Sequence, residues 1–274
     1  EDAVKLVERV LNAAGGDGGS SDAAREEIEQ LVDAVHSHAR TLALLAPALR
    51  ARGVAATRES LVELMTELEQ RFPGNREQSV FASVELSLQR LSAANRERAR
   101  VLAVFHGGVH PSVLVLMEWE QADAFSLAGE LIQTGLATPN RYNHLTLNPA
   151  LCPYLRGWLD AAEHEALTAR WVEAMRQYVN FLYQQQDQNT ELAAMLTGLE
   201  LPNLFALLDR VQHAGDAEAT IDLATSLYSL LKNAGKPRLL ARVGQVRDAV
   251  AKALGDTWNH ARFAAQRTRI EQQC

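Results

Sequence analysis

The fold is decided by residues 82–158, which contain two informative segments. The first is ASVELSLQRLSAANRERARVLAVFHGGV, residues 82–109, and the second is LATPNRYNHLTLNPALCPYLRGWL, residues 136–159. In the first segment, apolar residues recur at helical spacing, and Ser92 is a suitable residue to cap a helix. This pattern predicts two helices, at about 79–91 and 93–105.

The second segment changes period. Short apolar runs at 136–138 and 142–147 flank Pro139-Asn140, which predicts a small β-hairpin, and a helix restarts at Pro149. Between the two segments, HGGVHP is predicted to be a turn and SVLVLMEW (112–119) to be buried. A further helix is expected at 121–134.

Helices followed by a small hairpin are the order of a winged-helix domain, which we expect at 76–159. Before it, residues 1–75 predict four or five amphipathic helices, which form a helical subdomain. Within that region GGDGGSS (15–21) is predicted to be a flexible connection, and Thr57 to be an N-cap.

After the winged helix, residues 160–274 predict only helices. Asp160 and Glu163 have the spacing of a capping box, and a long helix should follow to about residue 188. The remaining helices are separated by glycine-containing turns and are expected at about 190–214, 217–233, 237–254 and 257–272. Such lengths are typical of α-solenoid repeats. The predicted fold class is therefore mainly α: a helical subdomain, a winged-helix domain with a small hairpin, and TPR-like helices.

Composition sets further bounds. The chain has 274 residues, is 47% hydrophobic and carries a net charge of −7. That charge disfavours a protein whose main task is to hold nucleic acid. Two cysteines without metal-like spacing, no apolar run near the roughly 20 residues of a membrane span, and no signal-peptide pattern together predict a cytoplasmic protein. The first residues, EDAVKLVERV, lack an initiator Met and lead us to expect a piece of a longer chain.

No catalytic motif is found. The glycine-rich 15–19 segment lacks the Lys-Ser/Thr end of a P-loop, and no G-x-S-x-G or activated cysteine occurs, so we predict no catalytic residues. The histidines of HSH (His36 and His38) and of HGGVH (His106 and His110) suggest a metal site. Zinc needs about four ligands, however, and no partner at a suitable spacing completes the set, so no metal site is predicted.

A winged helix also suggests DNA binding through the segment 111–134. This segment contains Glu118, Glu120, Asp123 and Glu130 and no Lys or Arg. Because these charges would repel a polyanion, we expect contact with protein rather than with nucleic acid at this face.

His144 is the most informative single residue. A histidine in a strand is more often a packed or surface residue than a ligand-binding one. A neutral imidazole nevertheless carries one N–H that could donate a hydrogen bond to a phosphate.

Taken together, these segments resemble the region that follows the nucleotide-binding core in STAND NTPases of the NB-ARC type. SHARTLALLAPAL (37–49) is similar to the family's GLPLAL segment, and residues 83–109 are similar to the opening helices of its winged helix. RYNHLTLNPALCPYL (141–155) is similar to the stretch of the family that contains the Met-His-Asp motif. This chain has Asn143-His144-Leu145 at the position of that motif, so only the His matches. The family's sensor helices begin with an E-x-x-N-L motif, which residues 200–211 (ELPNLFALLDRV) resemble. Residues 258–272 (WNHARFAAQRTRIEQ) resemble the start of the family's TPR-like superhelix.

The resemblance implies a regulatory piece of a signal-transduction ATPase. The helical subdomain and the winged helix would hold ADP against a nucleotide-binding domain outside this chain, with His144 at the β-phosphate. A protein or small-molecule signal on the C-terminal helices would favour exchange of ADP for ATP and oligomerisation. ADP or ATP would bind only together with that domain, and this chain alone would not be an enzyme.

Two alternatives remain open. The chain could be a stand-alone helical-repeat scaffold that binds a protein through a concave face, with no dependence on nucleotide. It could also be a winged-helix transcription regulator, which the acidic segment disfavours.

Overall fold

The computed structural model describes residues 2–12, 22–36, 38–74 and 77–255. The described chain is mainly helical, as the sequence predicted, and contains a small sheet of three strands where only a two-stranded hairpin was predicted. The predicted connection at 15–21 and the predicted helix at 257–272 lie outside the described residues.

Among the described residues, four helices precede the segment 82–158 and a fifth, α5, extends into it. Their apolar stripes are buried against one another: α3 packs on α1, α4 and α5, and α4 also packs on α2. Their bounds are α1 Asp2–Asn12, α2 Asp22–Ala34, α3 Ala39–Arg52, α4 Val54–Arg71 and α5 Gln78–Leu88.

The prediction that Thr57 caps α4 is wrong. The helix begins at Val54, with Gly53 as its N-cap. Thr57 is buried inside the first turn, and its hydroxyl donates to the Gly53 carbonyl at 2.6 Å. Gly53 starts the helix because its φ of +80° is accessible to glycine and strained for other residues.

The middle of the chain contains short helices and the three strands. Ser92 caps α6 as predicted, since its hydroxyl accepts from the Asn95 amide at 3.3 Å. The predicted helix at 93–105 is α-helical only in its first half and then tightens into a 3₁₀ helix. The bounds are α6 Ala93–Arg98, the 3₁₀ helix Ala99–Val104, β1 Gly108–Val109, α7 Pro111–Leu116, α8 Gln121–Gln133, β2 Ala137–Pro139, β3 Leu145–Leu147 and α9 Leu151–Arg156.

The hairpin is shorter than predicted. Strand β2 pairs with β3 in an antiparallel register that places Ala137 opposite Leu147. The second strand was expected to begin at residue 142, but Asn140 prevents this. Its side-chain oxygen accepts from the amides of Tyr142 (2.9 Å) and His144 (3.2 Å), and these bonds close a turn. His144 therefore precedes the strand.

The glycine-rich turn predicted at HGGVHP also contains a strand. Residues Gly108 and Val109 form β1, and the sheet has the strand order β1-β3-β2. The two-residue strand has no periodic pattern in sequence, so its existence depends on the partner strand rather than on local preference.

Four long helices follow, with bounds close to the predicted ones. The capping box at the start of α10 is confirmed: the Glu163 amide donates to Asp160 at 2.8 Å, and the Asp160 amide donates to Glu163 at 3.1 Å. Helix α12 packs against both α11 and α13. The bounds are α10 Ala161–Gln188, α11 Thr190–His213, α12 Ala217–Asn233 and α13 Pro237–Ala253.

Contacts divide the chain into two compact units. Unit 1 comprises residues 1–107 and 120–165, and unit 2 comprises residues 108–119 and 166–274. In the part of the chain that the structure describes, one helix, Thr190–His213, has the length and apolar composition of a membrane span. Core helices of soluble proteins meet the same criterion, and half of this helix's most apolar window is buried.

Candidate functional site

Unit 1 contains a cleft of about 330 Å³ between three segments. Val35, His36 and His38, between α2 and α3, form one wall. The start of α5 forms the second, and the turn after β3 forms the third. These segments are distant in sequence, and only the packing of α3, α5 and α9 brings them to one place.

The first wall contains two histidines. His36 has a φ of +51°, which ends α2 in a left-handed turn. His38 is the N-cap of α3, and its Nδ1 accepts from the Thr41 amide at 3.4 Å. Because Nδ1 accepts, the proton of the neutral ring is on Nε2, which is the hydrogen-bond donor that His38 can offer a ligand.

The second wall is the start of α5. The first amides of a helix have no acceptor within it, and they carry the positive end of the helix dipole. Glu77, at the N-cap position, makes no side-chain bond to them. Ser79 lines the cleft and is only 7% exposed, and its hydroxyl makes no hydrogen bond within the described residues. A buried hydroxyl in this setting is available to a ligand.

The third wall is the turn at Asn148. Its side-chain oxygen accepts from the Ala150 amide at 3.0 Å, and its backbone amide donates to Leu136 at 2.8 Å. These bonds fix the turn and occupy the oxygen, which leaves the side-chain NH₂ group of Asn148 as a donor at the cleft.

The cleft combines hydrogen-bond donors with apolar walls. The donors are His38, Ser79 and Asn148, together with the first amides of α5, and such a set suits the oxygens of a phosphate or a carboxylate. Val35, Val80, Ala150 and two prolines provide an apolar lining, and Glu77 provides one carboxylate. The arrangement fits a ligand with an anionic group, an apolar body and an amino group.

His144, the residue predicted from the resemblance, is not in this lining. Its side chain is 2% exposed, in the interior of unit 1. Its backbone closes the hairpin turn, where the Asn140 amide donates to its carbonyl at 3.0 Å. Asn148, four residues later, reaches the cleft instead. The signal that the sequence offered for it is the Asn-Pro pair that follows the second strand of the hairpin.

The other predicted histidines have local roles. Like His38, His110 caps a helix: its Nδ1 accepts from the Ser112 amide at 3.3 Å, at the start of α7. Within the residues that the structure describes, no group of three or more His, Cys, Asp or Glu side chains is arranged to hold a metal ion.

The acidic residues predicted to oppose DNA are partly used inside unit 1. Asp123 forms an ion pair with Arg98 at 2.7 Å, and Glu130 accepts from the Ser92 amide at 2.7 Å. The outer face of α8 is instead apolar, with Phe125 47% exposed and Ile132 39% exposed. Lys and Arg are absent from this face, as the sequence showed, and large apolar side chains occupy it.

Comparison of the chain with models of known protein families, with curated proteins and with solved structures gave no match. The functional conclusion therefore depends on the geometry of the cleft and on the motifs in the sequence.

Proposed function

We propose that this chain is a regulatory segment of a STAND-type ATPase, and that the cleft in unit 1 contributes to holding ADP. The observation that carries the proposal is the composition of the cleft. One wall, residues 35–38, belongs to the predicted helical subdomain (1–75), and the other two belong to the predicted winged-helix domain (76–159). According to the resemblance, the helical subdomain and the winged-helix domain are the two parts that close on the nucleotide.

The order of elements supports the winged-helix interpretation. Helix α6 with its 3₁₀ extension, β1, α7, α8 and the β2–β3 hairpin follow one another as in a winged helix, and the strand order β1-β3-β2 also agrees. The consecutive helices α11, α12 and α13, which pack in sequence, support TPR-like repeats over 160–274.

In this proposal the chain binds and regulates but does not hydrolyse ATP. The donors of the cleft would contact the phosphates of ADP, and Glu77 could accept from the amino group of the base. The P-loop and the catalytic groups belong to a nucleotide-binding domain outside this chain. A protein or small-molecule signal on the C-terminal helices would favour the ATP state, in which the cytoplasmic protein oligomerises.

The test is the nucleotide content of the full-length protein. We expect ADP to be released on denaturation of the purified protein, at about one per chain. Asn148→Asp should remove most of it, because the new carboxylate can still accept from Ala150 but repels a phosphate. Asn180→Asp, an exposed change on α10, is the control, since it adds the same charge outside the cleft. A wild-type protein without nucleotide, or equal ADP in both variants, would contradict the proposal.

His144 is tested in the same assay. At 2% exposure it reaches a phosphate only when the turn at 140–144 opens, so its proposed hydrogen bond belongs to an opened hairpin. His144→Gln keeps an N–H donor and should retain ADP, whereas His144→Leu fills the site without a donor and should release ADP and raise basal activity. Equal ADP retention in the two variants would remove His144 from the nucleotide site.

The scaffold remains the second candidate, and the apolar face of α8 favours it. Phe125 and Ile132 are the kind of exposed side chains that protein contacts cover. A scaffold would bind its partner equally with and without nucleotide. The transcription-regulator alternative requires DNA to bind the same apolar face, and a salt-dependent shift of duplex DNA would be needed to revive it.

A further inference from the structure

Helix α11 carries a buried polar pair that the cleft does not explain. Glu200 and Asn203, the E and N of ELPNL, are both 0% exposed within unit 2. They are three residues apart, so they lie on the same face of the helix. The Asn203 side chain donates to Glu200 at 2.6 Å. A buried carboxylate is costly unless its oxygens accept hydrogen bonds, so such a pair calls for an explanation.

The pair binds the backbone of the segment that contains β1. The Asn203 side chain donates to the Gly108 carbonyl at 2.8 Å, and the His110 amide donates to Glu200 at 2.9 Å. One carboxylate and one amide thus fix two backbone groups, one on either side of Val109. The two contacts join residues 90 and 95 positions apart, so they are purely tertiary.

Further contacts from α10 hold the same segment. The His110 ring stacks on Tyr178, with ring centroids 6.1 Å apart. At the other end, Arg170 donates to the Met117 carbonyl at 2.5 Å. Burial, and then the charge of Glu200, raise the pKa of Tyr178 above its usual range, which keeps the phenol protonated beside the carboxylate. Residues 108–119 are therefore anchored to unit 2 at both ends.

Residues 108–119 lie in the chain between two stretches of unit 1, so anchoring them also concerns unit 1. Residues 108–119 belong to unit 2 by their contacts, yet they are covalently joined to Gly107 and Glu120 of unit 1. Gly107 in turn accepts from the Leu147 amide of β3 at 3.0 Å. The residue that directly precedes the segment held by α11 is therefore hydrogen-bonded to the hairpin.

We propose that Glu200 and Asn203 form a clamp that couples the C-terminal helices to the hairpin by holding residues 108–110 on α11. The clamp is a positioning device and touches no ligand. As a route for the activating signal it rests on the proposed function, but the coupling itself is a property of this chain and is measurable without nucleotide.

The first experiment measures the clamp by amide hydrogen exchange of the chain. Asn203→Ala removes the side-chain bonds to the Gly108 carbonyl and to Glu200. Because Asn203 then no longer holds the Glu200 carboxylate or the Gly108 carbonyl, we expect the bond from the His110 amide to Glu200 to open more often and this amide to exchange about tenfold faster. Glu200→Gln keeps an oxygen for His110 and should have a smaller effect. Asn180→Ala, an exposed change on α10, is the matched control and should leave the rate unchanged. Unchanged His110 exchange in a folded Asn203→Ala protein would overturn the clamp.

The second experiment separates coupling from simple stabilisation. Leu227→Ala makes a cavity in α12, which packs on α11, and the Leu147 amide in β3 is the distant readout. We expect Leu227→Ala to accelerate Leu147 exchange severalfold in the wild-type background and to have little effect in the Asn203→Ala background. Equal effects in both backgrounds would overturn the coupling.

The two proposals fail in different ways. Loss of the exchange effects would remove the clamp and leave the nucleotide result standing. A full-length protein without ADP would remove the nucleotide site and leave the clamp. If Asn203→Ala does not fold, Glu200→Gln provides the same comparison with a milder perturbation.

Discussion

Asn148 and His144 show how a difference of four residues decides which side chain reaches the cleft. Both flank the same short strand, and both are polar residues in an apolar stretch. The turn closed by Asn140 directs His144 into the interior, and the turn after β3 places Asn148 at the cleft. The sequence predicted the hairpin but not where its second strand begins, because that depends on the side-chain bonds of Asn140.

Cys152 is a second residue whose chemical properties depend on its surroundings. It is buried in α9, and burial raises the pKa of its thiol to about 11, although the charge of Arg156 acts in the opposite direction. The thiolate is the reactive form, so the folded protein should protect this cysteine.

We therefore predict slow alkylation of Cys152. A Cys274→Ser protein leaves Cys152 as the one thiol in the chain. At pH 8 this thiol should react with a thiol reagent about 100-fold more slowly in the native state than in denaturant, because its thiolate fraction is smaller by that factor. Similar rates in the two states would show that the site is open.

At the scale of elements, the Glu130 carboxylate is one of the groups that join α6 and α8. Glu130 of α8 accepts from the amide of Ser92, the N-cap of α6. Burial acts to raise the pKa of Glu130, but hydrogen bonds from the Ser92 amide and hydroxyl and from Asn95 outweigh it, so the net pKa is lowered. The side chain therefore stabilises the fold in its charged form.

This lowered pKa predicts a dependence of stability on acid. A carboxyl whose folded pKa lies below its unfolded value of about 4.3 contributes its full stability above that value and loses it as the pH falls through the folded pKa. Between pH 6 and pH 3 the melting temperature should fall less in Glu130→Gln than in wild type. Glu67→Gln, an exposed change on α4, is the control and should follow wild type. A Glu130→Gln protein with the wild-type slope would contradict the prediction.

Some elements were predictable because their determinants are local. Ser92 and the Asp160–Glu163 capping box act within one helical turn, and both form as expected. Thr57 has the same residue type as a good N-cap but lies inside α4, because Gly53, four residues earlier, is the N-cap of the helix. Where two cap signals compete, packing decides which is used.

On the scale of the whole molecule, each of the two compact units contains fully buried apolar side chains. Leu102 lies in the core of unit 1 and Leu227 in the core of unit 2, and both are fully buried. A leucine-to-alanine change at such a position costs about 2–5 kcal/mol, from lost burial and the remaining cavity.

We predict two calorimetric unfolding transitions that respond separately. Leu102→Ala should lower the transition of unit 1, and Leu227→Ala mainly that of unit 2, with the other transition shifted much less. The exposed change Asn180→Ala should move neither. A single transition lowered equally by both leucine variants would show that the units unfold as one.

The sequence by itself determined the helical class, most helix bounds, the existence of the hairpin and the caps at Ser92 and Asp160, because helical periodicity, turn residues and cap residues act over a few neighbouring positions. It also determined that the face of α8 has no positive charge for DNA. Only the tertiary structure brought His38, Ser79 and Asn148 around one cleft, and only it placed Glu200 and Asn203 on the backbone of residues 108–110. Those contacts join residues tens of positions apart, and their formation depends on how the helices pack rather than on any local preference of the chain.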